Sequence, residues 1–523
     1  MTEARWGTEI ETRTVNGRPY RMYRDRPRSL TSILELADRW GDRPHIVQGE
    51  RVVTFAELSR AAHARARDLV VREVRPGDRV VLLGWNSPEW IINFWGVVLA
   101  RGVAVLGNAW WSPVELAETL ERTEPALVLA EGRLGDRVDA QWKRAPWSVD
   151  AEVADVDLPE GGDEDDDAAV IFTSGTSGRP KAALLSHRSL LSGLQMLLHI
   201  TKRFPDQVTD DSGEAALHTG PMFHVGGVQT LLRAVCVGDT LVMPAGRFDA
   251  GEALRLIETW RIRRWSAVPT MLTRVLDHPD TKTRDLTSLR ALTVGGAASH
   301  PEMLERMRTG LPGVEPRIAT GFGLTENGGQ GFAASGADTV ARPGTTGRAL
   351  PLVEARIAPS VGGADGELLV RSPTQMTRYL GESEDPITPD GWLHTGDLAR
   401  IDEDGYLWIT GRSKDMIIRG GENIAPAAVE RALLQLDGVE DAVVFSVPDP
   451  DLGEDVAAVL VAPDNPDVDG LRAALRERLA SFALPNHWVL RAEPFPLNHA
   501  GKVERSTVVA EARAQLASTA TAV

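Results

Sequence analysis

The chain has 523 residues, 42% of them hydrophobic, so it is long enough for at least two domains with sizeable cores. Its 74 acidic and 57 basic residues give a net charge of -17, which excludes the positive field that nucleic acid or an anionic membrane would need. The single cysteine, Cys236, excludes an internal disulfide framework and favours a reducing setting. No segment is typical of a signal peptide or a membrane span. We expect a cytoplasmic protein without nucleic acid and without stable membrane insertion.

Helix and strand patterns alternate along the first three quarters of the chain. Residues 53–70 (VTFAELSRAAHARARDLV) and 88–102 (PEWIINFWGVVLARG) have the apolar spacing of helices. Short apolar runs, typical of buried strands, occur at residues 77–85, 103–107, 125–130, 168–172, 182–186 and 291–296. Because strands buried on both faces read as continuous apolar runs, this alternation predicts α/β layers with helices packed on largely buried sheets.

The sequence pattern changes near residue 412. Two strand-like runs, DAVVFSVPD and DVAAVLVAPD, precede a predicted helix, GLRAALRERLASF. The apolar residues on one face of that helix are Leu471, Leu475, Leu479 and Phe482. This segment has the size of a small α+β domain. We therefore predict a large α/β domain with several subdomains at residues 1–412 and a small α+β domain at residues 413–523.

A loop rich in hydroxyls and glycine, TSGTSGRPK at residues 173–181, joins two of the predicted strands. It is not a Walker A loop, because Arg179 and Pro180 follow Gly178 where that motif requires Gly-Lys-[Ser/Thr]. Hydroxyls on such a loop can donate to phosphate oxygens, while the glycines let the backbone approach a ligand. By composition alone, a mobile surface turn is the favoured interpretation.

Three further stretches have residue types that suit a nucleotide site. The glycine pair at residues 295–296 follows a strand and lets a flat group approach the backbone. The stretch GFGLTE places an aromatic ring, Phe322, beside a hydroxyl and a carboxylate, Thr325 and Glu326. Asp397, in a glycine turn, can accept hydrogen bonds from a ribose diol. Each stretch also has an ordinary structural alternative: turn glycines, a core phenylalanine and a surface acid.

In this order and spacing, these stretches together resemble the adenylate-forming superfamily, which includes acyl-CoA synthetases, aryl-CoA ligases, luciferases and peptide-synthetase adenylation domains. The resemblance extends from about residue 30 to about residue 505 and includes the C-terminal stretch PLNHAGKVER. It implies a large N-terminal domain of sheets and helices with a small, mobile C-terminal lid. It also implies an AMP-forming acid–thiol ligase that uses ATP, Mg²⁺ and coenzyme A.

The resemblance implies a role for each motif residue of the large domain. The loop around the β- and γ-phosphates of ATP would consist of Thr173, Ser174, Gly175, Thr176, Ser177, Gly178 and Lys181. The turns around the adenine would consist of Gly295, Gly296, Ala297, Ala298, Gly321, Phe322 and Gly323. The remaining contacts would be those of Thr325 with the α-phosphate, Glu326 with Mg²⁺, and Asp397 and Arg412 with the ribose.

The resemblance also implies that the small domain acts in both half-reactions. Lys502 would grip the acyl carboxylate and the α-phosphate during adenylation. Lys414 would be the hinge about which the domain swings, bringing Gly420 and Gly421 against the pantetheine for thioester formation. Only six of the 57 basic residues are lysine, and three of these, Lys181, Lys414 and Lys502, fall at motif positions. A lysine kept in an arginine-rich chain indicates a site that needs a compact ammonium.

Two features bear on the acid. Peptide-synthetase domains have an aspartate for the amino group where this chain has His224, which disfavours an amino-acid substrate. In the resembled ligases this histidine lies between the acyl pocket and the thiol tunnel, and a core histidine is the alternative. The stretch NGGQGFAASG after Glu326 is nearly free of bulk, which predicts a roomy apolar pocket. We expect a carboxylic acid that is medium- to long-chain, or bulky and alicyclic or polycyclic, rather than a planar aryl acid.

Alternatives stay open for the acceptor and for the class of protein. Cys236 is expected to be buried, so the thiol must come from outside, either from coenzyme A or from a carrier protein's phosphopantetheine. An acyl-AMP ligase that loads a carrier protein and an aryl-CoA ligase are therefore alternatives. A nonenzymatic acyl-nucleotide sensor is disfavoured by the intact Glu326, Asp397 and Lys502. The oligomeric state is open, with a homodimer among the options, and Asn498 stands where threonine is frequent in the family.

Overall fold

The structure is a computed structural model, and the chain forms two compact units. The first unit comprises Met1–Ala355 and Val370–Leu393, and the second comprises Arg356–Leu369 and His394–Val523. The described residues are 6–149, 154–173, 180–210, 213–294, 301–311, 318–358, 365–382, 385–412, 415, 417–419, 422–449, 452–476, 478–479, 483–498 and 501–520. The predicted domain boundary between residues 412 and 413 stays a prediction.

Helices and strands alternate along most of the chain. The helices are α1 (Thr31–Leu34), α2 (Ala37–Trp40), α3 (Phe55–Val71), α4 (Pro88–Leu99), α5 (Pro113–Thr123), α6 (His187–Thr201), α7 (Val225–Val237), α8 (Ala250–Thr259), α9 (Pro269–Asp277), α10 (Pro301–Gly310), α11 (Gly336–Ala341), α12 (Pro426–Leu433), α13 (Val468–Leu475) and α14 (Arg505–Ala520). The strands are β1 (Ile10–Val15), β2 (Arg18–Tyr23), β3 (Pro44–Gln48), β4 (Arg51–Thr54), β5 (Arg79–Leu83), β6 (Val103–Gly107), β7 (Leu127–Ala130), β8 (Arg144–Pro146), β9 (Asp167–Thr173), β10 (Lys181–Ser186), β11 (Ala215–His218), β12 (Thr240–Met243), β13 (Arg264–Ala267), β14 (Ala291–Val294), β15 (Ile318–Phe322), β16 (Phe332–Ala334), β17 (Gly347–Ala349), β18 (Glu354–Ile357), β19 (Gly366–Arg371), β20 (Arg378–Leu380), β21 (Leu393–Ile401), β22 (Tyr406–Arg412), β23 (Ile417–Arg419), β24 (Glu422–Ile424), β25 (Asp441–Asp449), β26 (Gly453–Val461) and β27 (His487–Arg491).

The first unit contains two large sheets and a small hairpin of β1 and β2. One sheet has the strand order β20-β10-β9-β6-β5-β7-β8, in which β10 is antiparallel to both of its neighbours and β9 to β8 are parallel. The other runs β17-β16-β15-β14-β13-β11-β12-β3-β4 and is parallel from β15 to β3. This mixture of parallel sheets and helices confirms the predicted α/β class.

Helix starts in the first unit follow from local capping. The α3 helix begins after Thr54, whose hydroxyl accepts a hydrogen bond from the Glu57 amide while the Glu57 carboxylate accepts one from the Thr54 amide. Ser87 caps α4 by accepting from the Trp90 amide, with Pro88 in the first turn. Both helices begin within two residues of their predicted starts, and the predicted strands correspond to β5, β6, β7, β9, β10 and β14.

Helices α8, α9 and α10 cover one face of the second large sheet. Each helix connects two parallel strands, and the three connections all step in the same direction across the sheet. Because such connections are right-handed, all three helices lie on the same side of the sheet. In the strand register, Leu217, Trp265, Leu292 and Ile318 form a continuous row, and all four belong to the core beneath these helices. Since side chains alternate along a strand, the next residue of each strand points to the opposite face.

The second unit has its own hydrophobic core. Strands β25 and β26 form a long antiparallel pair, and β27 joins β26 in parallel. Side chains from α12 and α13 belong to the cluster on one face of this sheet, and side chains from α14 belong to the cluster on the other. The run DAVVFSVPD, predicted as a strand, is β25. The unit is a small α+β structure, as the sequence predicts.

The last predicted helix is shorter than expected. The α13 helix ends at Leu475, so its buried face consists of Leu471 and Leu475, while Leu479 packs against the same core from beyond the helix. Phe482 lies outside the described residues. Cys236 is fully buried in α7, as predicted, and burial raises the pKa of its thiol. Within the described ranges, no helix has the length and apolarity that crossing a bilayer requires.

Candidate active site

Strands β9 and β10 hold the two ends of the predicted phosphate loop. Thr173 ends β9, Lys181 begins β10, and the two are partners in the antiparallel register. Both residues are half-buried. The loop between them, with the predicted ligands Ser174, Gly175, Thr176, Ser177 and Gly178, lies outside the described residues. The sheet therefore fixes the positions at which this loop begins and ends.

Strand β20 adds a tyrosine to the ends of this loop. Tyr379 is opposite Ala183 in the pairing of β20 with β10, and the Lys181 Nζ lies 4.9 Å from the centroid of the tyrosine ring. The Tyr379 hydroxyl donates a hydrogen bond to Glu326 Oε1 at 2.6 Å, and Thr173 also hydrogen-bonds to this phenol. We call Thr173, Lys181, Glu326 and Tyr379 the phosphate cluster. It brings three predicted ligands together with one residue that the sequence analysis missed.

The protonation state of Tyr379 follows from its surroundings. Burial, and next the negative charge of Glu326, raise the pKa of Tyr379 above its ordinary value. The phenol therefore keeps its proton near neutral pH and acts as the hydrogen-bond donor to the Glu326 carboxylate. Nothing in the stretch MTRYLGE distinguishes this tyrosine from an ordinary strand residue, so only the pairing of β20 with β10 reveals it.

A closed turn after β15 positions Thr325 and Glu326. The Asn327 Oδ1 accepts a hydrogen bond from the Leu324 amide at 2.8 Å, and the Leu324 carbonyl accepts one from the Gly329 amide at 2.7 Å. These bonds hold a single turn of 3₁₀ helix at Thr325–Asn327. Because Asn327 is fully buried, the turn is anchored in the core and aims its two functional side chains from a rigid base.

Of the predicted adenine contacts, those in the described part of the chain are Gly321 and Phe322 on β15 and Gly323 directly after it. Phe322 is half-buried, and its ring lies edge-on to that of Phe332 with centroids 6.3 Å apart. Gly321 is exposed beside it. The other predicted contacts, Gly295, Gly296, Ala297 and Ala298, lie outside the described residues.

Close packing requires glycine at several positions of the stretch GFGLTENGGQG. A Cβ on Gly323 would lie 2.2 Å from the Gly329 carbonyl oxygen, and one on Gly331 would lie 2.8 Å from the Phe322 oxygen. Gly328 and Gly329 have φ of +66° and +78°, a region that favours glycine. The low bulk after Glu326 therefore has a structural cause and does not measure the size of the acyl pocket.

In the second unit, Asp397 lies in a buried position on β21. It pairs with Arg412 across the antiparallel register of β21 and β22, and its amide donates to the Thr395 hydroxyl at 3.1 Å. The Thr395 hydroxyl in turn donates to the Leu368 carbonyl, which ties the turn to β19. The pairing supports the predicted partnership of Asp397 with Arg412, although the side chain of Arg412 lies outside the described atoms.

Lys502 closes a tight turn in the second unit. An isolated bridge pairs Leu497 with Val503, and inside it the Asn498 amide donates to the Lys502 carbonyl at 2.7 Å. The Asn498 Oδ1 accepts from the Lys502 amide at 3.0 Å, and Gly501 supplies the left-handed residue at φ +76°. Asn498 thus holds the turn that presents the exposed lysine. Lys414, Gly420 and Gly421 lie outside the described residues.

His224 forms the N-terminal boundary of α7 and stands in an aromatic group. Its ring centroid lies 4.7 Å from that of Phe223, which is 5.6 Å from Trp110, which in turn is 4.6 Å from Trp85. Both tryptophans are more than one third exposed. His224 is therefore half-buried at the surface of the first unit rather than enclosed in the core. The sequence analysis did not single out Trp85.

The phosphate cluster fits a magnesium triphosphate. Glu326 offers a carboxylate, the ligand type that Mg²⁺ prefers, and Lys181 offers an ammonium for phosphate oxygens. Among the described residues there is no group of three or more His, Cys, Asp or Glu side chains that could form an all-protein metal cage. A single carboxylate suits an ion that takes its other ligands from substrate phosphates and water.

Comparison with known proteins identifies the family. A sequence model described as AMP-binding enzyme matches residues 34–380. The chain belongs to this AMP-binding enzyme family. The family's C-terminal domain model matches residues 428–502. The likeness to a solved structure, "O-succinylbenzoate Coenzyme A Synthetase (MenE) from Bacillus Subtilis, in Complex with ATP and Magnesium Ion", has a TM-score of 0.80 and 26% identity, covering 92% of this chain and 99% of that one.

Named relatives of this AMP-binding enzyme resemble it over most of its length. A 3-[(3aS,4S,7aS)-7a-methyl-1,5-dioxo-octahydro-1H-inden-4-yl]propanoyl:CoA ligase of Rhodococcus jostii is 32% identical over 92% of this chain and 99% of its own. A feruloyl-CoA synthase of an Amycolatopsis species is 34% identical over 89% and 96%, respectively. A fatty acid–[acyl-carrier-protein] ligase of Streptomyces coeruleorubidus is 31% identical over 88% and 92%. The chain is an AMP-forming acid–thiol ligase, and the predicted cofactors ATP, Mg²⁺ and coenzyme A are confirmed for it.

Proposed function

We propose that this enzyme is an acyl-CoA synthetase for a bulky alicyclic or a medium- to long-chain carboxylic acid. The observation that carries this proposal is an open sheet face in the first unit. Ser266 and Thr293 lie on central strands β13 and β14, yet both are exposed, and Gly321 on β15 is exposed as well. Central strands of a buried sheet are normally covered on both faces, so these exposed residues mark the floor of a cleft.

The width of this floor favours a bulky acid. Three adjacent strands, β13, β14 and β15, form it, and neighbouring strands lie about 4.8 Å apart, so the outer two are about 10 Å apart. A floor of that width accepts a fused alicyclic ring as well as a chain. The Rhodococcus relative is named for a bicyclic propanoyl group, which supports the alicyclic choice, whereas the feruloyl-CoA synthase leaves an aryl acid as the competing substrate class.

In the reaction we propose, a carboxylate oxygen attacks the α-phosphorus of ATP and the bond to pyrophosphate breaks. Both reactants are anionic, so Lys502 offsets their repulsion while Thr325 donates to the α-phosphate. Bound at Glu326, Mg²⁺ would supply further charge neutralisation. The phosphate loop with Lys181 would hold the leaving pyrophosphate, and Asp397 would fix the ribose.

In the second step, the thiol sulfur attacks the acyl carbon and AMP leaves. For this step we propose that the lid, residues 413–523, swings about Lys414 and brings Gly420 and Gly421 against the pantetheine. His224 lies half-buried at the N-terminal end of α7 and contacts Phe223, which in turn contacts the exposed Trp110, a position that suits the path of the incoming thiol. Cys236 is buried and takes no part, so the thiol comes from outside the chain.

A second candidate function is an acyl-AMP ligase that delivers its product to a carrier protein. The Streptomyces relative, which is named for that activity and aligns over most of this chain, favours it. Both candidates share the adenylation step and differ only in the molecule that holds the pantetheine.

Mass spectrometry of the products tests the proposal. The protein is incubated with ATP, Mg²⁺ and a library of alicyclic, fatty and aryl acids, either alone, with coenzyme A, or with a pantetheinylated carrier protein. We expect acyl-CoA from an alicyclic or long-chain acid only when coenzyme A is present. Transfer to the carrier alone would support the second candidate. A preference for planar aryl acids, or no product with any acid, would contradict the proposal.

A further inference from the structure

A row of polar side chains crosses the floor of the cleft and continues onto the neighbouring strand, β11. In the parallel register, His218 on β11 is opposite Ser266 on β13, and Ser266 is opposite Thr293 on β14. We call these three residues the polar row. They lie far apart in the sequence and become neighbours only through strand pairing, so no local motif contains them.

The two faces of the sheet differ sharply at this position. One residue earlier on each strand, Leu217, Trp265 and Leu292 are at most 3% exposed and pack beneath the helices. In the polar row, by contrast, Ser266 and Thr293 are exposed, and His218 lies beside Ser266 on β11 in a buried position. Polar side chains in the centre of a sheet point to a ligand when the same strands bury only apolar groups on their other face.

His218 is buried and lacks a hydrogen-bond partner on one ring nitrogen. Its side chain is 6% exposed, and its Nε2 has no partner among the described residues. Burial lowers the pKa of His218 to about 4, a hydrogen bond with the backbone of Gly220 opposes that shift only in part, and the imidazole is neutral near pH 7. A buried polar atom without a partner is costly, and a ligand group that completes the hydrogen bond removes that cost.

The polar row lies away from the end of the cleft where the carboxylate reacts. Thr293 is level with Ala319 in the register of β14 and β15. Gly321, where the motif that leads to Thr325 begins, is two residues further along β15, a distance of about 7 Å. A group that contacts the polar row therefore belongs to the part of the acid remote from its carboxylate.

We propose that the polar row binds an oxygen function, a ketone or a hydroxyl, on the ring system of the acid. The Ser266 and Thr293 hydroxyls donate to a carbonyl oxygen, and the three side chains together can also satisfy a hydroxyl, which both donates and accepts. The enzyme is then selective for oxygenated alicyclic acids over their hydrocarbon analogues. This inference rests on the proposed function and specifies the substrate class of the same site.

Matched acids test the inference directly. Pyrophosphate release is measured with 3-cyclohexylpropanoic acid, its 4-oxo analogue and its 4-hydroxy analogue, and with the equivalent sets of bicyclic acids. A site built for an oxygen function discriminates strongly against the analogue that lacks it, so we expect kcat/KM at least about tenfold higher for the oxygenated acid of a set. Comparing kcat/KM for the 4-oxo and the 4-hydroxy analogues shows which oxygen function is preferred. Equal or higher kcat/KM for the hydrocarbon acids would overturn the inference.

Isosteric variants then assign the discrimination to the polar row. Thr293→Val and Ser266→Ala should lower kcat/KM for the oxygenated acid while leaving that for the hydrocarbon acid within about twofold, so that the preference falls towards one. Thr309→Val, which removes an exposed hydroxyl from α10, is the matched control and should leave the preference unchanged. If Thr293→Val and Ser266→Ala lower kcat/KM equally for the oxygenated and the hydrocarbon acid, the polar row has a structural role only.

The two proposals fail in different ways. If hydrocarbon acids are adenylated as well as oxygenated ones, the acyl-CoA synthetase stands and only the role of the polar row is lost. If no acid of any set releases pyrophosphate, the proposed function itself is contradicted, and this inference is contradicted with it.

Discussion

The phosphate cluster and the polar row lie in the same unit, yet they differ in how they are built. Thr173 and Lys181 lie at the two ends of one continuous loop, and Glu326 ends a short motif. Most of the phosphate cluster can therefore be recognised from short stretches of sequence. The polar row consists of one residue from each of three strands. In the proposed function, the phosphate cluster holds the triphosphate of ATP, whereas the polar row faces the carboxylic acid. The residues proposed to act in adenylation therefore lie mostly in short sequence motifs, whereas those proposed to select the acid come together only through strand pairing.

Replacing Lys502 should have the largest effect, because in the proposed mechanism its charge offsets the repulsion between the two anionic reactants. We expect Lys502→Ala to lower pyrophosphate release about a hundredfold or more, since an ammonium that offsets charge in the transition state is lost. Thioester formation from supplied acyl-adenylate should be retained. Lys282→Ala, at an exposed lysine, is the control. Equal loss in both half-reactions would argue against a role confined to adenylation.

Replacing Tyr379 tests whether the phosphate cluster works as a unit. Tyr379→Phe removes the hydrogen bond to Glu326 and keeps the ring beside Lys181. Removing the hydrogen-bond partner of a metal-ligating group typically lowers metal affinity about 10- to 100-fold. The variant should therefore need about tenfold more Mg²⁺ or Mn²⁺ for half-saturation in the presence of ATP.

The measurement for Tyr379 is Mn²⁺ binding to the protein with ATP, followed by electron paramagnetic resonance, beside the Mg²⁺ dependence of pyrophosphate release. Tyr23→Phe is the matched control, because it removes a hydrogen bond of 2.8 Å to His199 elsewhere in the same unit. An unchanged metal affinity in Tyr379→Phe would leave this tyrosine with a packing role.

Replacing Asn498 should have a smaller effect than replacing Lys502 itself. Asn498→Ala removes the side-chain oxygen that accepts from the Lys502 amide, so the turn loosens while the lysine stays in the chain. We expect adenylation to fall by about tenfold, the size typical of a misplaced catalytic group. Asn498→Asp keeps the acceptor and should retain most of the activity in the same assay; similar losses in both variants would contradict the positioning role.

The smallest expected effect concerns pH and the polar row. His218 has a pKa of about 4 in the folded protein, below its ordinary value, so it stays neutral throughout the neutral range. The preference for oxygenated over hydrocarbon acids should therefore be constant between about pH 6 and about pH 8. The ratio of kcat/KM values for a matched pair, measured across this range, provides the check. A preference that changes with a midpoint near the ordinary histidine pKa would show that His218 titrates in the cleft.

The buried histidines also predict an acid limit to stability. Burial lowers the pKa values of His45, His187 and His218 to about 4. Below the ordinary histidine pKa the unfolded chain binds protons that the folded chain does not, so the free energy of unfolding should fall as the pH drops from about 6.5 towards about 4. Chemical denaturation across that range measures it, and a flat profile would contradict the neutral state of these side chains.

Much of the fold and part of the site could be predicted from the sequence. The apolar runs located β5, β6, β9 and β10, and the strand-like run DAVVFSVPD located β25 in the small second unit. The glycine-rich stretch after Glu326 could not be interpreted from sequence alone, because the sequence cannot separate a glycine that makes room for a ligand from one that makes room for a carbonyl oxygen. Tyr379 and the polar row were invisible because their significance depends on register and on bonds between distant segments. Asn327 acts through a local bond to the Leu324 amide, and the sequence gives no sign that this side chain is buried.

The most direct test of the account is a crystal structure of the protein with a non-hydrolysable acyl sulfamoyl adenosine made from the acid that it prefers. We predict that the acyl group lies over β13 and β14 with its ring oxygen within hydrogen-bond distance of Ser266 or Thr293, while the nucleotide end reaches Thr325. An acyl group that leaves the floor of β13 and β14 empty would contradict it.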